Sequence, residues 1–477
     1  MAALLIPSLP TLIWWRETHS LAYSRGWINL EYMVLLGIAF LFPSWWTITL
    51  LTLELCIALV EPIAFFFYFT PYDALLSVRY LLFISAHRLI GYACLLLVYI
   101  VGVAVVLRAT LGDHRLRNAK RMVALALLCC LLSVVADISL GRFGGLHNGL
   151  RPGNADRREL YITRSPIISI LLTPAHHMIR SVLHRVGTNN PKQPQVLRSE
   201  LSQALAEIPA GSKPDVVLVL TESWGLANDD RINQAEMQPY RNSAVGDLYR
   251  IQTGSEEFIG ATSAGETREL CGDSRGYFSL KDPDAYYAAC WPARLKSDGY
   301  HTLSVHGFTG GMFQRQQWYK RFGFENSVFL MELKQAGATM CGGPYPGICD
   351  ADVARWIGDR LLTHRDERPD FVHWVTLNSH LPVPALDDNS LLQQCSVLGI
   401  DQEQSLCSWF TLVHRVHESV ASLAVRPGLR PTVFVIVGDH APPFMRSETR
   451  NRFSQTKVPF VVLIPRFISL KPIGGTE

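Results

Sequence analysis

Apolar residues are concentrated in the first third of the chain, in runs long enough to cross a membrane. A helix needs roughly 20 apolar residues to span the hydrocarbon core of a bilayer. We predict transmembrane helices over residues 28–46, 48–69, 80–107 and 122–140. A further apolar segment, Leu4 to Trp15, is short and contains Pro7 and Pro10, which favours an interfacial or re-entrant segment over a fifth helix.

Beyond residue 212 the pattern changes, and short apolar runs alternate with stretches of helical periodicity. This alternation is typical of an α/β fold with a largely parallel central sheet. The predicted strands cover residues 215–221, 302–305, 371–377, 432–437 and 458–464. The predicted helices cover residues 285–297, 350–363 and 408–423.

The segment between these two patterns combines an amphipathic stretch with a polar run. Residues 166–186 place leucines and isoleucines beside His176, His177 and Arg180, which is typical of a helix on a membrane surface. The run GTNNPKQPQVLRSE that follows indicates a linker. We therefore divide the chain into a transmembrane domain (1–141), an amphipathic helix and linker (142–212) and a soluble domain (213–477).

Basic residues predict the orientation of the soluble domain. The loop between the third and fourth predicted spans carries Arg108, Arg115, Arg117, Lys120 and Arg121. By the positive-inside rule this loop is cytoplasmic and the soluble domain is extracytoplasmic, although arginines that follow the fourth span oppose that inference. The N-terminus lacks a basic region before an apolar core, so the first helices are expected to act as an uncleaved signal.

The cysteines agree with an extracytoplasmic soluble domain. Four lie in predicted membrane spans, and the other six lie in the soluble half: Cys271, Cys290, Cys341, Cys349, Cys395 and Cys407. An even number without CxxC spacing suits disulfides in an oxidising compartment better than a zinc ribbon. The close pairs Cys341/Cys349 and Cys395/Cys407 are local candidates, and the pairing as a whole stays open.

Length and charge exclude one class of partner. The 477 residues predict two to three structural units. The net charge is only +3, and no basic stripe interleaved with aromatic residues is present. We therefore expect no nucleic-acid partner.

Four predicted strands end in an acidic residue or a histidine. Glu222 follows the first strand, His306 the second, His380 the third, and Asp439 with His440 the strand at 432–437. The carboxyl ends of parallel strands meet at one edge of a sheet, where ligands bind. Taken singly, Asp439 could cap a turn and His440 could be an ordinary surface histidine. Together these residues predict a site for a divalent metal.

A hydroxyl group completes the predicted chemistry. The segment GATSAGE, residues 260–266, could present a threonine or serine at a helix N-terminus, where free N–H groups favour a phosphate. A bound metal lowers the pKa of a hydroxyl and makes it a nucleophile near neutral pH. Segments of this composition are also common as simple turns.

These motifs together resemble a known family. Their order and spacing resemble the extracytoplasmic domain of the lipoteichoic acid synthase group, the phosphoglycerol and phosphoethanolamine transferases of the alkaline phosphatase/sulfatase superfamily. The resemblance covers about residues 213–465 and rests on LTESWG with Glu222, GATSAGE with Thr262, HGFTGGMFQR with His306 and Arg315, LNSHLP with His380, and GDHAPP with Asp439 and His440. The run TSAGETRELCG also resembles a segment of the osmoregulated-glucan phosphoglycerol transferases.

The resemblance implies a metal site and a nucleophile. Glu222, Asp439 and His440 would hold one manganese or zinc ion, with Thr262 as the fourth ligand and the nucleophile. A covalent phospho-threonine would carry the headgroup from a membrane phospholipid to a glycan or glycolipid of the cell envelope. The residues that would bind the phosphate are His306, Arg315 and His380.

The resemblance also implies a location and leaves the headgroup open. It places the protein in the bacterial inner membrane with a periplasmic catalytic domain, beside other proteins of envelope-polysaccharide synthesis. Phe308 and Phe313 stand where lipoteichoic acid synthases carry polar and tryptophan residues that contact glycerophosphate. The chain ends at Glu477 without the further helix usual in the family, as expected for a short or truncated form.

Two alternative functions are considered. The run from Cys271 to Arg275 resembles the CxPxR context of sulfatases, but Asp273 replaces the proline, so we expect Cys271 to be a disulfide partner. A hydrolase of the sulfatase or phosphodiesterase type is one alternative. A non-catalytic, headgroup-binding component of a polysaccharide-export complex is the other, and the competent residues at every inferred ligand position argue against it.

Overall fold

The chain folds into two units in a computed structural model: an N-terminal unit of residues 1–190 with 445–448, and a C-terminal unit of residues 191–444 with 449–477. The structure describes residues 28–42, 44–59, 71–83, 86–111, 128, 130–132, 134–136, 163–164, 199–209, 211–272, 287–343, 345–364, 368–386 and 389–466.

The described part of the N-terminal unit is mainly helical. Its helices are α1 (Leu30–Leu41), α2 (Trp45–Ala58), α3 (Pro71–Ser77) and α4 (Ala86–Leu111), with a 3₁₀ turn over Val78–Phe83. Two short strands, β1 (Ile28–Asn29) and β2 (Thr163–Arg164), pair in parallel. The helices α1, α2 and α4 share an apolar core that includes Leu36, Leu55 and Leu107. The buried Glu54 has a polar partner within this unit, because Asn29 Nδ2 donates to its Oε1 at 2.6 Å.

The first predicted membrane span is wrong in its bounds, and the end of the second, residues 60–69, lies outside the described residues. Helix α1 has 12 residues and α2 has 14, which at a rise of about 1.5 Å per residue is short for a bilayer core. Phe42, which precedes Pro43, leaves the helical region with φ −131° and ψ 72°. The Ser44 hydroxyl then accepts a hydrogen bond from the Thr47 amide and starts α2. The two apolar runs are therefore separate short helices, broken before the first predicted span ends.

Helix α4 agrees best with a membrane span. Within it, Leu89–Ala109 is the one helix in the described part of the chain that is long and apolar enough to cross a membrane. Its side chains are largely exposed, with Leu95 at 69% and Val98 at 71%, whereas the core helix of a soluble protein would bury them. Most of the predicted span 122–140, the segment before residue 28 and the amphipathic stretch 166–186 lie outside the described residues.

A seven-stranded sheet forms the centre of the C-terminal unit, in the order β4-β11-β10-β3-β9-β5-β6. Its strands are β3 (Asp215–Thr221), β4 (Tyr249–Glu257), β5 (His301–His306), β6 (Asn326–Val328), β9 (Asp370–Val375), β10 (Thr432–Gly438) and β11 (Lys457–Pro465). The strands from β10 to β6 run parallel, and β11 pairs antiparallel with both β10 and β4. A small hairpin is formed by β7 (Met340–Cys341) and β8 (Gly347–Ile348).

Helices of this unit surround the sheet or follow its strands. In chain order, the described helices after residue 199 are α5 (Glu200–Glu207), α6 (Asp230–Glu236), α7 (Ser243–Leu248), α8 (Thr262–Cys271), α9 (Trp291–Ser297), α10 (Arg315–Phe322), α11 (Leu330–Gln335), α12 (Asp350–Thr363), α13 (Asn389–Leu398), α14 (Gln404–Ala424) and α15 (Ser447–Arg450). Every residue of β3, β9 and β10 is buried, which explains their unbroken apolar runs.

The predicted α/β fold with a largely parallel sheet is confirmed. The bounds of β3 and α12 match the prediction, and β10 extends one residue further. The prediction for β9 ran too far, because the chain leaves the sheet after Val375. The strands β4 and β6 were not predicted, since β4 is a polar edge strand and β6 has only three residues.

Three disulfides join the cysteines of this unit. The two local pairs, Cys341–Cys349 and Cys395–Cys407, are confirmed. The third bond joins Cys271 at the end of α8 to Cys290. Cys271 is therefore a disulfide partner, as expected, and is not available as the cysteine from which a sulfatase makes its nucleophile.

Candidate metal centre

The register of the sheet brings the predicted ligands to one edge. Strands β3 and β10 are neighbours, and Gly438 pairs with Thr221 at their carboxyl ends. The next residues, Glu222 and Asp439, therefore leave the sheet side by side. His306, the last residue of β5, pairs with Val375 at the end of β9 and reaches the same edge.

Glu222, Asp439 and His440 form a compact group of ligands. One ligand atom from each lies within 4.8 Å of the others. The Nε2 atom of His440 is 3.3 Å from Asp439 Oδ2 and 3.6 Å from Glu222 Oε1. All three residues are buried. Two carboxylates and one imidazole are a donor set that suits manganese or zinc.

Hydrogen bonds fix which atom of each ligand faces the centre. Asp439 Oδ1 accepts from the amides of Ser223 (2.7 Å) and His440 (2.6 Å). Its Oδ2 is buried and makes no hydrogen bond to any described residue. His440 Nδ1 lies 3.0 Å from the Ala441 carbonyl, which can only accept, so Nδ1 carries the proton and Nε2 has the lone pair. A cation is the partner that these two oriented atoms fit.

The charges of the two carboxylates also fit a cation. Burial raises the pKa of Asp439 well above its usual range, and the negative charge of Glu222 raises it further. Burial also opposes ionisation of Glu222, but His380, His440 and two hydroxyls hold its pKa below the usual value. A divalent cation beside both groups would remove the penalty of ionising Asp439.

Thr262 lies against this ligand group. It is the first residue of α8, and its Oγ1 donates to Glu222 Oε2 at 3.1 Å and lies 3.5 Å from His440 Nε2. No side chain caps the start of this helix. The N-terminus of α8 therefore combines a hydroxyl with backbone N–H groups that favour an anion.

Close backbone approaches hold α8 and the ligands together. A Cβ atom on Gly265 would lie 3.2 Å from both Cα and Cβ of Asp439. A Cβ atom on Gly438 would lie 2.0 Å from the Trp224 carbonyl oxygen, so only glycine fits there. Ser223 has a positive φ of 57°, a conformation rare outside glycine, and its amide binds Asp439. The backbone at the centre is thus strained and tightly packed.

A buried arginine anchors the strand that carries Asp439. Arg268 Nη2 donates to the Gly438 carbonyl at 2.9 Å and lies 2.8 Å from Glu256 Oε1. Its Nε donates to Glu269 Oε1 at 2.8 Å, and Glu269 Oε2 accepts from the Ser199 hydroxyl. Helix α8 is therefore tied to the sheet on one side and to the start of α5 on the other.

His306 and His380 are oriented in the same way as His440. His306 Nδ1 donates to the Val375 carbonyl at 3.0 Å, and His380 Nδ1 donates to the Leu381 carbonyl at 2.7 Å. Burial, with the charge of Arg315, lowers the pKa of His306 to about 3, so its imidazole is neutral. A neutral ring anchored through Nδ1 has its lone pair on Nε2 and acts as an acceptor or base.

The segment that carries His380 is held by an acid that was not predicted. The carboxylate of Asp350, the first residue of α12, accepts from the amides of Leu377 (3.0 Å) and Asn378 (2.8 Å). Burial raises the pKa of Asp350 to about 7, against the effect of these amides. The sequence places Asp350 at a helix start, and only the fold places it beneath the His380 segment.

Arg315 reaches the site as part of a buried ion pair. Its Nη2 is 3.0 Å and its Nε 3.2 Å from Oε2 of Glu266. The Tyr319 hydroxyl donates to Oε1 of the same carboxylate. Neither Glu266 nor Tyr319 was predicted as a site residue. The signal in the sequence was their spacing, because Glu266 follows Thr262 by four residues, as Tyr319 follows Arg315.

Aromatic rings line the part of the site beside the histidines. The ring of Tyr345 lies 4.8 Å from His380 and 5.6 Å from Phe308, measured between centroids. Phe308 is buried and stands 6.5 Å from His306. Phe313 lies 5.4 Å from the Arg315 guanidinium. The two phenylalanines that depart from the lipoteichoic acid synthase pattern are therefore both next to the predicted phosphate-binding residues.

The fold is that of an alkaline phosphatase-like domain, with a candidate metal site at the carboxyl ends of a mostly parallel sheet. The sequence model of the sulfatase family matches residues 214–469, more than half of the chain, and the chain belongs to the sulfatase family. The predicted membership of the alkaline phosphatase/sulfatase superfamily is thereby confirmed.

A relative and two solved structures show how far the similarity extends. A Rhizobium meliloti (strain 1021) protein named "Putative cyclic beta-1,2-glucan modification protein" is 26% identical over 255 residues, which cover 50% of this chain and 37% of that protein. The chain thus matches little more than a third of the length of that relative. The integral membrane lipooligosaccharide phosphoethanolamine transferase A of Neisseria meningitidis has a TM-score of 0.50 at 13% identity, covering 90% of this chain and 79% of that one. The Streptococcus pyogenes phosphoglycerol transferase GacH has a TM-score of 0.38 at 15% identity, covering 57% and 74%.

Proposed function

We propose that this protein transfers phosphoethanolamine or phosphoglycerol from a membrane phospholipid to a glycan or glycolipid of the cell envelope. The observation that carries the proposal is the position of Thr262, whose hydroxyl is 3.1 Å from Glu222 Oε2 and 3.5 Å from His440 Nε2. A threonine at an uncapped helix N-terminus beside buried metal-type ligands suits nucleophilic attack on a phosphate.

Manganese or zinc would be held by Glu222, Asp439 and His440, with Thr262 as the fourth ligand. When bound, the ion supplies Lewis-acid chemistry, which lowers the pKa of a hydroxyl and offsets negative charge on phosphate. The unsatisfied Oδ2 of Asp439 supports this assignment.

The protein residues account for both halves of the transfer. In the first half, the Thr262 oxygen bonds to phosphorus and loses its proton, the bond from phosphorus to the lipid glycerol oxygen breaks, and that oxygen takes up a proton and leaves as diacylglycerol. In the second half, the oxygen of an acceptor hydroxyl bonds to phosphorus, the bond from phosphorus to the Thr262 oxygen breaks, and Thr262 regains a proton. Glu222 Oε2 orients the hydroxyl of Thr262 through its hydrogen bond. His380, whose Nδ1 is engaged by the Leu381 carbonyl, would accept the proton of the incoming hydroxyl on Nε2 and pass it to the leaving Thr262 oxygen.

Two groups would bind the phosphate oxygens. The N-terminal amides of α8 favour negative charge, and Arg315 adds a permanent positive charge at the same edge of the sheet. Together they would stabilise charge that develops on the phosphate during transfer. His306, whose neutral ring can only accept on Nε2, would instead bind a donor beside the phosphate, such as an ammonium or hydroxyl group of the headgroup.

The donor, the acceptor and the location are inferred from similar proteins, the disulfides and helix α4. The Neisseria transferase is named as an integral membrane phosphoethanolamine transferase, and the Rhizobium relative as a glucan modification protein. Three disulfides suit an extracytoplasmic domain, and α4 suits a membrane anchor. We therefore place the enzyme in the bacterial inner membrane as a multi-pass protein with a periplasmic catalytic domain.

Activity of two neighbouring variants tests the nucleophile. The purified full-length protein, supplied with manganese or zinc, is incubated with phosphatidylethanolamine or phosphatidylglycerol vesicles and a glucan acceptor. Thr262→Ala should lose at least about 10³-fold in rate, as expected for loss of a nucleophile, while Ser263→Ala keeps most activity. Full activity in Thr262→Ala together with loss in Ser263→Ala would show that the assignment is wrong.

Hydrolysis is the second candidate, favoured by the match to the sulfatase family. The same residues would act as a phosphodiesterase if water replaced the acceptor hydroxyl. The product distinguishes the two, since a transferase modifies the glucan and a hydrolase releases the free phospho-headgroup. The disulfide at Cys271 argues against a sulfatase that uses that cysteine.

A further inference from the structure

Glu266 occupies a special place on the helix that begins with Thr262. It is fully buried and lies four residues after Thr262, so the two side chains share one face of α8 about 6 Å apart along the axis. Its carboxylate contacts Arg315 and Tyr319 from α10, and His373 Nε2 lies 3.7 Å away. A carboxylate with this many partners fixes the groups around it.

The ion pair with Glu266 uses two of the three guanidinium nitrogens of Arg315 and does not use Nη1. Glu266 binds the edge formed by Nε and Nη2, at 3.2 and 3.0 Å. Nη1 makes no hydrogen bond to the residues that the structure describes. Burial opposes ionisation of Glu266, but the Arg315 charge holds its pKa at about 2, so the pair is ionised. The guanidinium is thus locked along one edge with another nitrogen left for a ligand.

Stability alone does not explain this pair. Burying two charges costs about as much as their attraction returns, and apolar residues of similar size often serve as well. Arg315 also follows two consecutive residues in the left-handed region, Phe313 (φ 51°) and Gln314 (φ 54°). A strained loop is a poor support for a group that must be placed accurately, and Glu266 supplies an independent one.

We propose that Glu266 is a positioning residue, which holds Arg315 at a fixed distance from Thr262 so that Nη1 meets the phosphate. This proposal rests on the proposed function, in which Arg315 binds the phosphate. One helix then sets the position of both the nucleophile and the positive charge. The contacts of the Glu266 carboxylate are with Arg315, Tyr319 and His373, none of which is a candidate metal ligand.

Binding of inorganic phosphate tests the proposal without any turnover. Phosphate affinity is measured by thermal stabilisation of the full-length, metal-loaded protein and of two variants. Glu266→Asp keeps the charge but shortens the support by one methylene, and Glu266→Gln keeps the size but removes the charge. A positioning role predicts about tenfold weaker binding in both variants. Tighter binding in Glu266→Gln would mean that Glu266 merely competes with phosphate for Arg315, and would overturn the proposal.

A double-mutant cycle then separates positioning from general destabilisation. Arg315→Met alone should weaken phosphate binding, and adding Glu266→Asp should weaken it no further, because the two residues act through one contact. Independent losses that multiply would contradict the proposal, as would unchanged affinity in Glu266→Asp. Glu236→Gln is the matched control. This carboxyl is also buried, but it accepts a hydrogen bond from the Trp224 indole and does not contact Arg315. Its phosphate affinity should equal that of the wild type.

The outcome is distinguishable from failure of the proposed function. If the wild type transfers no headgroup, the function fails, while the phosphate affinities still decide the role of Glu266. If transfer occurs, Glu266→Asp should lower kcat about tenfold or more with less change in KM. The reason is that a displaced Arg315 guanidinium weakens stabilisation of the transition state more than binding of the substrate. A general loss of folding would instead lower the amount of active enzyme and leave KM and the phosphate affinity of the remainder unchanged.

Discussion

At the scale of single residues, the centre depends on which atom of each side chain is already engaged. Three histidines are anchored through Nδ1 to a carbonyl, which leaves Nε2 as the nitrogen that faces a ligand: His306, His380 and His440. Asp439 uses one oxygen for two amides and keeps the other for a ligand. The residue types could be read from the sequence, but these choices of atom come from the backbone around them.

Substitution of Asp439 tests the metal assignment. Asp439→Asn keeps the size of the side chain and an oxygen for the two amides but removes the negative charge. We expect bound manganese or zinc to fall from about one equivalent to less than about a tenth, because a ligating carboxylate contributes most of its affinity as charge. Metal analysis of the purified full-length protein measures this, and Ser263→Ala serves as the control. An active wild type that holds no metal would refute the assignment.

Glu236 should make the stability of the fold depend on pH. Burial raises its pKa to about 8 in the folded state, against an ordinary value of 4.5, although the Trp224 indole opposes the shift. The folded state therefore binds this proton more tightly than the unfolded state does. The contribution of Glu236 to the free energy of unfolding should be complete below pH 4.5 and should decrease as pH rises toward about 8.

The variant Glu236→Gln isolates this effect. Between about pH 5 and about pH 8, the melting temperature of the variant should fall less than that of the wild type, since glutamine has no proton to lose. The same substitution at the exposed Glu257 should leave the pH dependence unchanged. An identical pH profile in Glu236→Gln and the wild type would contradict the shift.

At the scale of secondary structure, the central strands were predictable and the supporting contacts were not. An apolar run that is buried on both faces, as in β3 and β10, specifies a strand and its end, and so it also located Glu222 and Asp439. The polar edge strand β4 has no such signal. The partners of the site residues were missed because they come from distant parts of the chain, as with Glu266 and Arg315, which are 49 residues apart.

The approach of α8 to the sheet is tested by adding one methyl group. Gly265→Ala would place a Cβ 3.2 Å from Asp439, so either the helix or the ligand must move. We expect a loss of about 1–3 kcal/mol in the free energy of unfolding and weaker metal binding. Gly246→Ala in α7 is the control, because nothing lies within 4 Å of its Cβ, and alanine there should be neutral or stabilising. Equal metal affinity in both variants would contradict this account of the helix packing.

At the scale of the whole molecule, the chain combines an apolar N-terminal part with a disulfide-bonded domain of the sulfatase family. The sequence predicted this division from composition alone. It overestimated the length of the first membrane span, because apolar runs on either side of Pro43 look continuous in hydropathy while Ser44 starts a new helix. The proposed orientation follows from the basic loop and the disulfides.

Cysteine labelling tests that orientation. In a background without the non-disulfide cysteines, Met331→Cys should react with a membrane-impermeant maleimide on intact spheroplasts, since Met331 is 60% exposed in the soluble domain. Lys120→Cys, in the predicted cytoplasmic loop, should react only after permeabilisation. The reverse pattern would place the catalytic domain in the cytoplasm.

The most direct test of the central claim is the covalent state of Thr262. The full-length protein is incubated with phospholipid vesicles in the absence of acceptor, quenched in acid, digested and analysed by mass spectrometry. We predict a phosphoethanolamine or phosphoglycerol group on Thr262, absent in Asp439→Asn and discharged when a glucan acceptor is added to the wild type. An active enzyme with an unmodified Thr262, or with the group on Ser263, would contradict the account.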